Sequence, residues 1–327
     1  MTGTAASPDA AALLASLHEA ARGLEGVAFR TRLVPVPQVG VAAGQDLRIK
    51  AECCQRIGAF KIRGAYTALR RLDPAVRSRG VVAFSSGNHA QGVACAAKLF
   101  GIQAAIVMPA NTSQLKVAGV RAHGGEVVFA GERRSPEQSA TAHRLAAERG
   151  AALIPPYDHP DVIEGQATCA LEILEDFPEV RTLLVPVSGG GLLAGTCAAV
   201  LAMGRTDVEV IAVEPAGAAK VSAAFAAGHP VSIGEADTIA DGLLTPQVGA
   251  LTWPWIQRMV RQVVTVTDDE IRAAMRVLAD TAGLRLEPSG ATAFAALVSG
   301  RFRVTGPTAV IASGGNIDAA HFAELTA

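Results

Sequence analysis

The chain has 327 residues, enough for two domains at ~150 residues each, with half of them hydrophobic and 18% charged. Its 29 basic and 30 acidic side chains leave a formal charge of -1, which gives neither nucleic acid nor a membrane surface a reason to bind. So apolar a chain buries enough surface to offset the entropy of ordering, which excludes a disordered protein.

In chain order, Ser7 and Pro8 open an N-terminal helix whose apolar stripe runs to Leu17, and a strand is predicted around 47–51. Residues 1–17 have no basic stretch and include Asp9, so they are not read as a signal peptide. From residue 80, β-branched runs alternate with alanine-rich segments of helical spacing, the pattern of a parallel sheet with crossover helices. Strands are predicted at 80–84, 102–108 and 126–129, with helices at 88–100, 112–123 and 136–149 that end on glycines. A second series follows: a helix at 162–176, a strand at 182–187, a helix at 192–203 and strands at 208–213 and 263–266. The capping box Thr267-x-x-Glu270 opens another helix, a further one follows Pro288, and a last strand lies at 308–312.

Two uncharged stretches, 80–97 and 182–204, are long enough to cross a membrane. Ser85–His89 and Ser188–Gly191 interrupt them with irregular backbone that lipid cannot satisfy, so both read as strand–loop–helix units of an α/β core. Five cysteines with no CxxC point to a reducing cytoplasm rather than to disulfides or zinc.

Four segments have the residue types for chemistry. Lys61 is one of only five lysines and sits among small and apolar neighbours in Gly58-Ala-Phe-Lys-Ile-Arg-Gly-Ala65, where an amine loses water and becomes a usable nucleophile or base. Ser85-Ser-Gly-Asn-His-Ala-Gln-Gly92 places polar side chains and free amides at a helix start, a suitable seat for a carboxylate or phosphate. Val187-Ser-Gly-Gly-Gly-Leu-Leu-Ala-Gly195 reads as a phosphate cradle. It also satisfies the dinucleotide fingerprint through Gly189, Gly191 and Ala194, with Glu214 about twenty residues on, so a nicotinamide oxidoreductase competes locally. Ala312-Ser-Gly-Gly-Asn316 ends the last strand, where ligands of open α/β sheets gather. Glu287-Pro-Ser-Gly-Ala291 reads as an ordinary helix start.

Taken together and in this order, from about Arg30 to Asp318, these segments resemble the fold-type II pyridoxal-phosphate enzymes, in particular the serine/threonine dehydratase and serine racemase branch. The resemblance implies an α/β fold of two open, twisted, mostly parallel sheets with flanking helices, similar to the tryptophan synthase β chain. With Pro155-Pro156 as the crossing, the expected division is a large cofactor domain of 1–80 and 157–327 and a small α/β domain of 81–156.

The resemblance implies that Lys61 binds the cofactor covalently and Phe60 lies against its ring. Asn88 would bond the ring hydroxyl, Ser188, Gly189, Gly190, Gly191 and Leu192 would hold the phosphate, and Ser313 would face the pyridine nitrogen. Ser85, Ser86, Asn88 and His89 would grip the substrate carboxylate, with Ser86 the acid and base on the opposite face in racemases. The implied activity is dehydration and deamination of L-threonine and L-serine by a cytoplasmic homodimer. Serine racemase is the alternative, followed by a dehydratase for hydroxyaspartate or phenylserine. Glu214 and Ala218 match a divalent-metal site of the racemases, but Lys220 stands where an acidic ligand belongs, and an ammonium has no lone pair to give. Leu243-Leu244-Thr245 and Tyr157 are candidates for contacting the substrate side chain. The chain ends soon after the last motif, so no C-terminal regulatory domain is expected.

Overall fold

The computed structural model describes residues 9–36, 46–132 and 136–327. Its strands, in chain order, are β1 (Leu33–Pro35), β2 (Leu47–Lys50), β3 (Val81–Phe84), β4 (Ala104–Met108), β5 (Glu126–Phe129), β6 (Ala152–Leu153), β7 (Thr182–Pro186), β8 (Glu209–Pro215), β9 (Val260–Val266) and β10 (Thr308–Ile311). The helices are α1 (Ala10–Gly23), α2 (Lys61–Arg71), α3 (Pro74–Arg77), α4 (Asn88–Phe100), α5 (Gln114–Ala122), α6 (Pro136–Arg149), α7 (Pro160–Asp176), α8 (Gly191–Ala202), α9 (Lys220–Ala227), α10 (Trp253–Met259), α11 (Asp268–Ala282), α12 (Pro288–Val298) and α13 (Ala319–Thr326).

Six strands form one sheet in the order β1-β2-β10-β7-β8-β9, and four form a second in the order β5-β4-β3-β6. Every pairing is parallel except β1 with β2. The last strand, β10, therefore sits inside the first sheet, between β2 and β7. Two mostly parallel sheets with flanking helices are the architecture expected from the sequence.

Alternation along the strands explains the layers. Leu183, Val185, Val210 and Ala212 point to one face of the first sheet, covered by α1, α7 and α8, while Leu184, Ile211 and Val213 point to the other, covered by α11 and α12. In the second sheet Val81, Ala83, Ile106 and Met108 face the side of α2 and α4, and Val82, Ala105 and Val107 face α6. All four strands of this sheet fall within 81–156, but the core beneath it also draws on Leu24, Ile57, Ile62 and Leu69. The chain leaves β6 and reaches α7 through Pro155-Pro156.

Most boundaries differ from the sequence reading by one to three residues. α7 begins at Pro160 rather than 162 because the His159 ring accepts the Asp161 amide as a cap. α1 is capped by Asp9, whose carboxylate accepts the Ala11 amide at 2.9 Å; Ser7 and Pro8 lie outside the described residues. The capping box at Thr267 and Glu270 is present. No described helix is long and apolar enough to cross a membrane.

Candidate active site

A cleft of about 1440 Å³ opens where the carboxyl ends of both sheets converge, and Lys61, Ser85–His89, Ser188–Leu193 and Ser313 share its lining. Lys61 is the first residue of α2. Two residues on, the buried Arg63 bonds Glu52 and Glu172, and the Phe60 amide donates to the Ser313 carbonyl at 3.1 Å, so the start of the helix is held from both sides. The Lys61 Nζ donates to the Pro156 carbonyl at 2.7 Å and lies 5.2 Å from the centre of the Phe60 ring. Burial without a counter-ion pushes its amine down to about 8.

The Ser85–Gly92 loop joins β3 to α4. Gly87 precedes the helix and no side chain caps it, which leaves the first-turn amides open to an anion. The Asn88 Nδ2 donates to Glu287 Oε1 at 2.5 Å, and its Oδ1 accepts from Asn316 Nδ2 at 2.7 Å. His89 is buried with Nε2 2.9 Å from the Ile154 carbonyl. Burial and the charge of Lys61 hold its imidazole down at about 3, so it is neutral and brings no positive charge to a carboxylate. The Ser86 hydroxyl faces the cleft with no hydrogen-bond partner among the described residues.

The glycine loop joins β7 to α8. Gly190 has φ +97°, and a Cβ there would lie 2.7 Å from Thr252 Oγ1, so both conformation and space require glycine. The Tyr157 ring packs directly on Gly189, Thr252 Oγ1 donates to the Gly189 carbonyl at 2.8 Å, and Ser188 Oγ lies 2.7 Å from Thr245 Oγ1. No side chain caps α8, so its first amides also point into an open site. Ser313 is buried, with its hydroxyl 3.5 Å from the Ser289 carbonyl. Every residue singled out for cofactor or substrate thus lines one cleft, and so do Tyr157, Leu243, Leu244 and Thr245.

Sequence reasoning missed Glu287, which lies immediately before α12 in the same cleft. Burial, with Asp241 nearby, pushes its carboxyl up to about 8 against the Asn88 bond and Lys116, so it is protonated at neutral pH. Its local sequence is an ordinary helix start, and its partner Asn88 lies on the other sheet's first helix, 199 residues away. Lys116 of α5 pairs with Asp241 across the cleft mouth.

The ribose-binding role that the dinucleotide fingerprint would give Glu214 is not available. Its carboxylate is fully buried and accepts from the Val221 amide, the Ser222 amide and the Ser222 hydroxyl at 2.7–2.9 Å. Lys220, also buried, donates to the Leu243 carbonyl at 2.9 Å. Ala218 is buried beside them. Three donors on Glu214 and an ammonium at Lys220 do not make a donor set for a divalent ion, and no group of three or more His, Cys, Asp or Glu side chains among the described residues could hold one.

The sequence matches the family described as pyridoxal-phosphate dependent enzyme over residues 24–314. It is 38% identical over 314 residues to a serine racemase of Oryza sativa subsp. indica, covering 94% of this chain and 92% of that protein. It is 40% identical over 316 residues to an L-threo-3-hydroxyaspartate ammonia-lyase of Pseudomonas sp., covering 95% of this chain and 98% of the relative. The solved structure of the processed form of threonine deaminase isoform 2 from Solanum lycopersicum superposes with a TM-score of 0.91 at 34% identity, covering 99% of this chain and 90% of that one. With an open cleft built around a half-buried lysine and these matches along nearly its whole length, the chain belongs to the pyridoxal-phosphate-dependent enzyme family.

Proposed function

We propose that the protein is a pyridoxal-phosphate-dependent ammonia-lyase that converts L-threonine and L-serine to the 2-keto acid and ammonia. The observation that carries this reading is the Lys61 amine, half-buried, pushed down to about 8 and sharing one cleft with two uncapped helix starts. The residues fit the cofactor: Gly190 takes a backbone form that side chains rarely adopt, the α8 amides suit a phosphate, and the buried Ser313 hydroxyl has only a long contact to the Ser289 carbonyl. When bound, pyridoxal phosphate supplies an electron sink for the pair left when a Cα proton departs.

In this reading Lys61 would attach the cofactor and, with its amine free, would take the substrate's Cα proton. Phe60 would pack against the ring, Ser188–Leu192 would hold the phosphate, and Asn88 would orient the ring hydroxyl. Ser313 would offer the ring nitrogen a neutral partner, a setting that favours loss of the Cβ hydroxyl. Ser85, Ser86 and Asn88 bind the substrate carboxylate together with the α4 amides, while neutral His89 shapes that wall.

The described charged lining is mixed, with Glu132, Glu235, Asp241 and Asp318 beside Lys61, Lys116 and Arg285, and Lys116 is paired with Asp241. The Ser86 hydroxyl, in the cleft and with no hydrogen-bond partner among the described residues, supports a second reading, racemisation of serine, in which it would exchange a proton on the face opposite Lys61, as the resemblance implies. The proposal extends to a homodimer, as the resemblance implies, in a reducing cytoplasm, in keeping with the unpaired cysteines.

The test is a keto-acid and ammonia assay over D- and L-3-hydroxy amino acids, with chiral analysis of the remaining serine. Keto acid from L-threonine and L-serine is the expected result. Turnover confined to hydroxyaspartate sinks the substrate assignment, and D-serine accumulation that exceeds pyruvate and disappears in Ser86→Ala makes the racemase reading the correct one.

A further inference from the structure

Cys53 and Cys54 end a short turn, Glu52–Cys54, that follows β2, and their sulfurs lie 3.9 Å apart. Cys54 is exposed, while Cys95, Cys169 and Cys197 are buried. A disulfide needs its sulfurs at about 2.05 Å, a closure that two adjacent residues reach only by distorting the peptide between them. An atom that forms two bonds of about 2.3 Å to sulfur bridges the pair with a closure of only a few tenths of an ångström, and soft centres prefer such thiolate pairs.

This turn lies behind the loop that bears Ser313. The Cys53 amide donates to the Ala312 carbonyl at 3.0 Å, and a Cβ added at Gly315 would lie 3.1 Å from the Cys53 Cβ. Asn316, next in that loop, donates to the Ile57 carbonyl and to Asn88. The turn that carries the two sulfurs is thus in direct contact with the loop that bears Ser313 and Asn316.

We propose that Cys53 and Cys54 form a binding site for trivalent arsenicals and like thiophilic centres, and that its occupancy disables the cleft by displacing the 312–316 loop. With an organoarsenic oxide the two S–H groups condense with the As–O unit. Two As–S bonds form, the arsenic–oxygen bonds break, and both protons leave on that oxygen as one water, with no change in oxidation state. Burial and the neighbouring Cys54 hold Cys53 in its protonated form, and this condensation consumes thiols without requiring a resident thiolate.

The probe is phenylarsine oxide, added to the cofactor-loaded enzyme and followed by intact mass and by keto-acid release. One adduct per chain is expected, with loss of activity, both reversed by a dithiol such as 2,3-dimercaptopropanol but not by 2-mercaptoethanol. Cys54→Ser, a change on the surface, is expected to weaken adduct formation by on the order of a hundredfold, because the second bond is an intramolecular one. Cys53→Ser is expected to do the same. An adduct that persists in Cys54→Ser overturns the site, and a full adduct that leaves turnover untouched overturns its coupling to the loop. The mass readout does not depend on the substrate assignment, so failure of the site and failure of the proposed activity are distinguishable.

Discussion

Lys61 and Lys220 occupy two regions that are locally alike. Each is the first residue of a helix, donates to one backbone carbonyl and has an amine pushed down to about 8 by desolvation, Lys220 as a fully buried residue and Lys61 as a half-buried one. The difference is in what lies beyond the nitrogen. Lys61 opens on a cleft flanked by two uncapped helix starts, whereas Lys220 opens on Glu214, which favours its charge, and lines no part of the cleft. A perturbed amine reports a low-dielectric setting, and access to a substrate decides whether it does chemistry.

The largest effect that would break this contrast is expected from Lys61→Ala. Keto-acid release should fall by about 10³-fold or more, and borohydride should fix no cofactor to the chain. Comparable loss in Lys220→Met with Lys61 intact would show the two sites to be functionally alike. The pH dependence is next in size. The Lys61 amine is protonated below about 8, so capture of added cofactor by cofactor-free protein, followed by its visible absorption, should quicken about tenfold per pH unit up to 8 and then level.

Lys220→Met is expected to raise KM about tenfold with kcat unchanged. It removes one charged hydrogen bond, roughly 1–3 kcal/mol, from the Leu243 wall of the cleft. Adding a chelator to either protein should change nothing. In the wild type the unfolded chain binds more protons at Lys220 between 8 and 10.5, so stability rises with pH across that window, and the variant should lose this contribution.

The smallest effect is expected for Glu287→Gln. Its carboxyl is protonated at neutral pH, so the amide reproduces it and turnover should stay within about threefold, less than 1 kcal/mol. Because the folded state holds the extra proton between 4.5 and about 8, stability falls as pH rises through that range. Chemical denaturation at several pH values should show this slope reduced in the variant.

The layered fold was legible because its strands are β-branched runs and its helices end on glycines or caps. The two best loops were legible because four polar residues within five positions, or three glycines in succession, exceed what a turn needs. Lys61 was found among only five lysines. Glu287 escaped because its environment is built by Asn88 and Asp241, which lie 199 and 46 positions away, and no local pattern records such an approach. The neutrality of His89 also depends on packing, since its partner Ile154 follows the last strand of the second sheet. β1 and β6, at three and two residues, are too short to carry an alternating signal.

The position of β10 bears on how the molecule is made. Of the ten described strands this one is synthesised last, and it enters the first sheet between β2 and β7, which have no other link to each other in that sheet. Until residue 311 has left the ribosome, the N-terminal strand pair and the β7–β9 block remain separate, and Gly314 cannot form its bridge to Ala59. The neighbourhood of Lys61 is thus completed only after the other nine described strands have emerged, and a nascent chain can assemble the second sheet early while its catalytic cleft stays unbuilt.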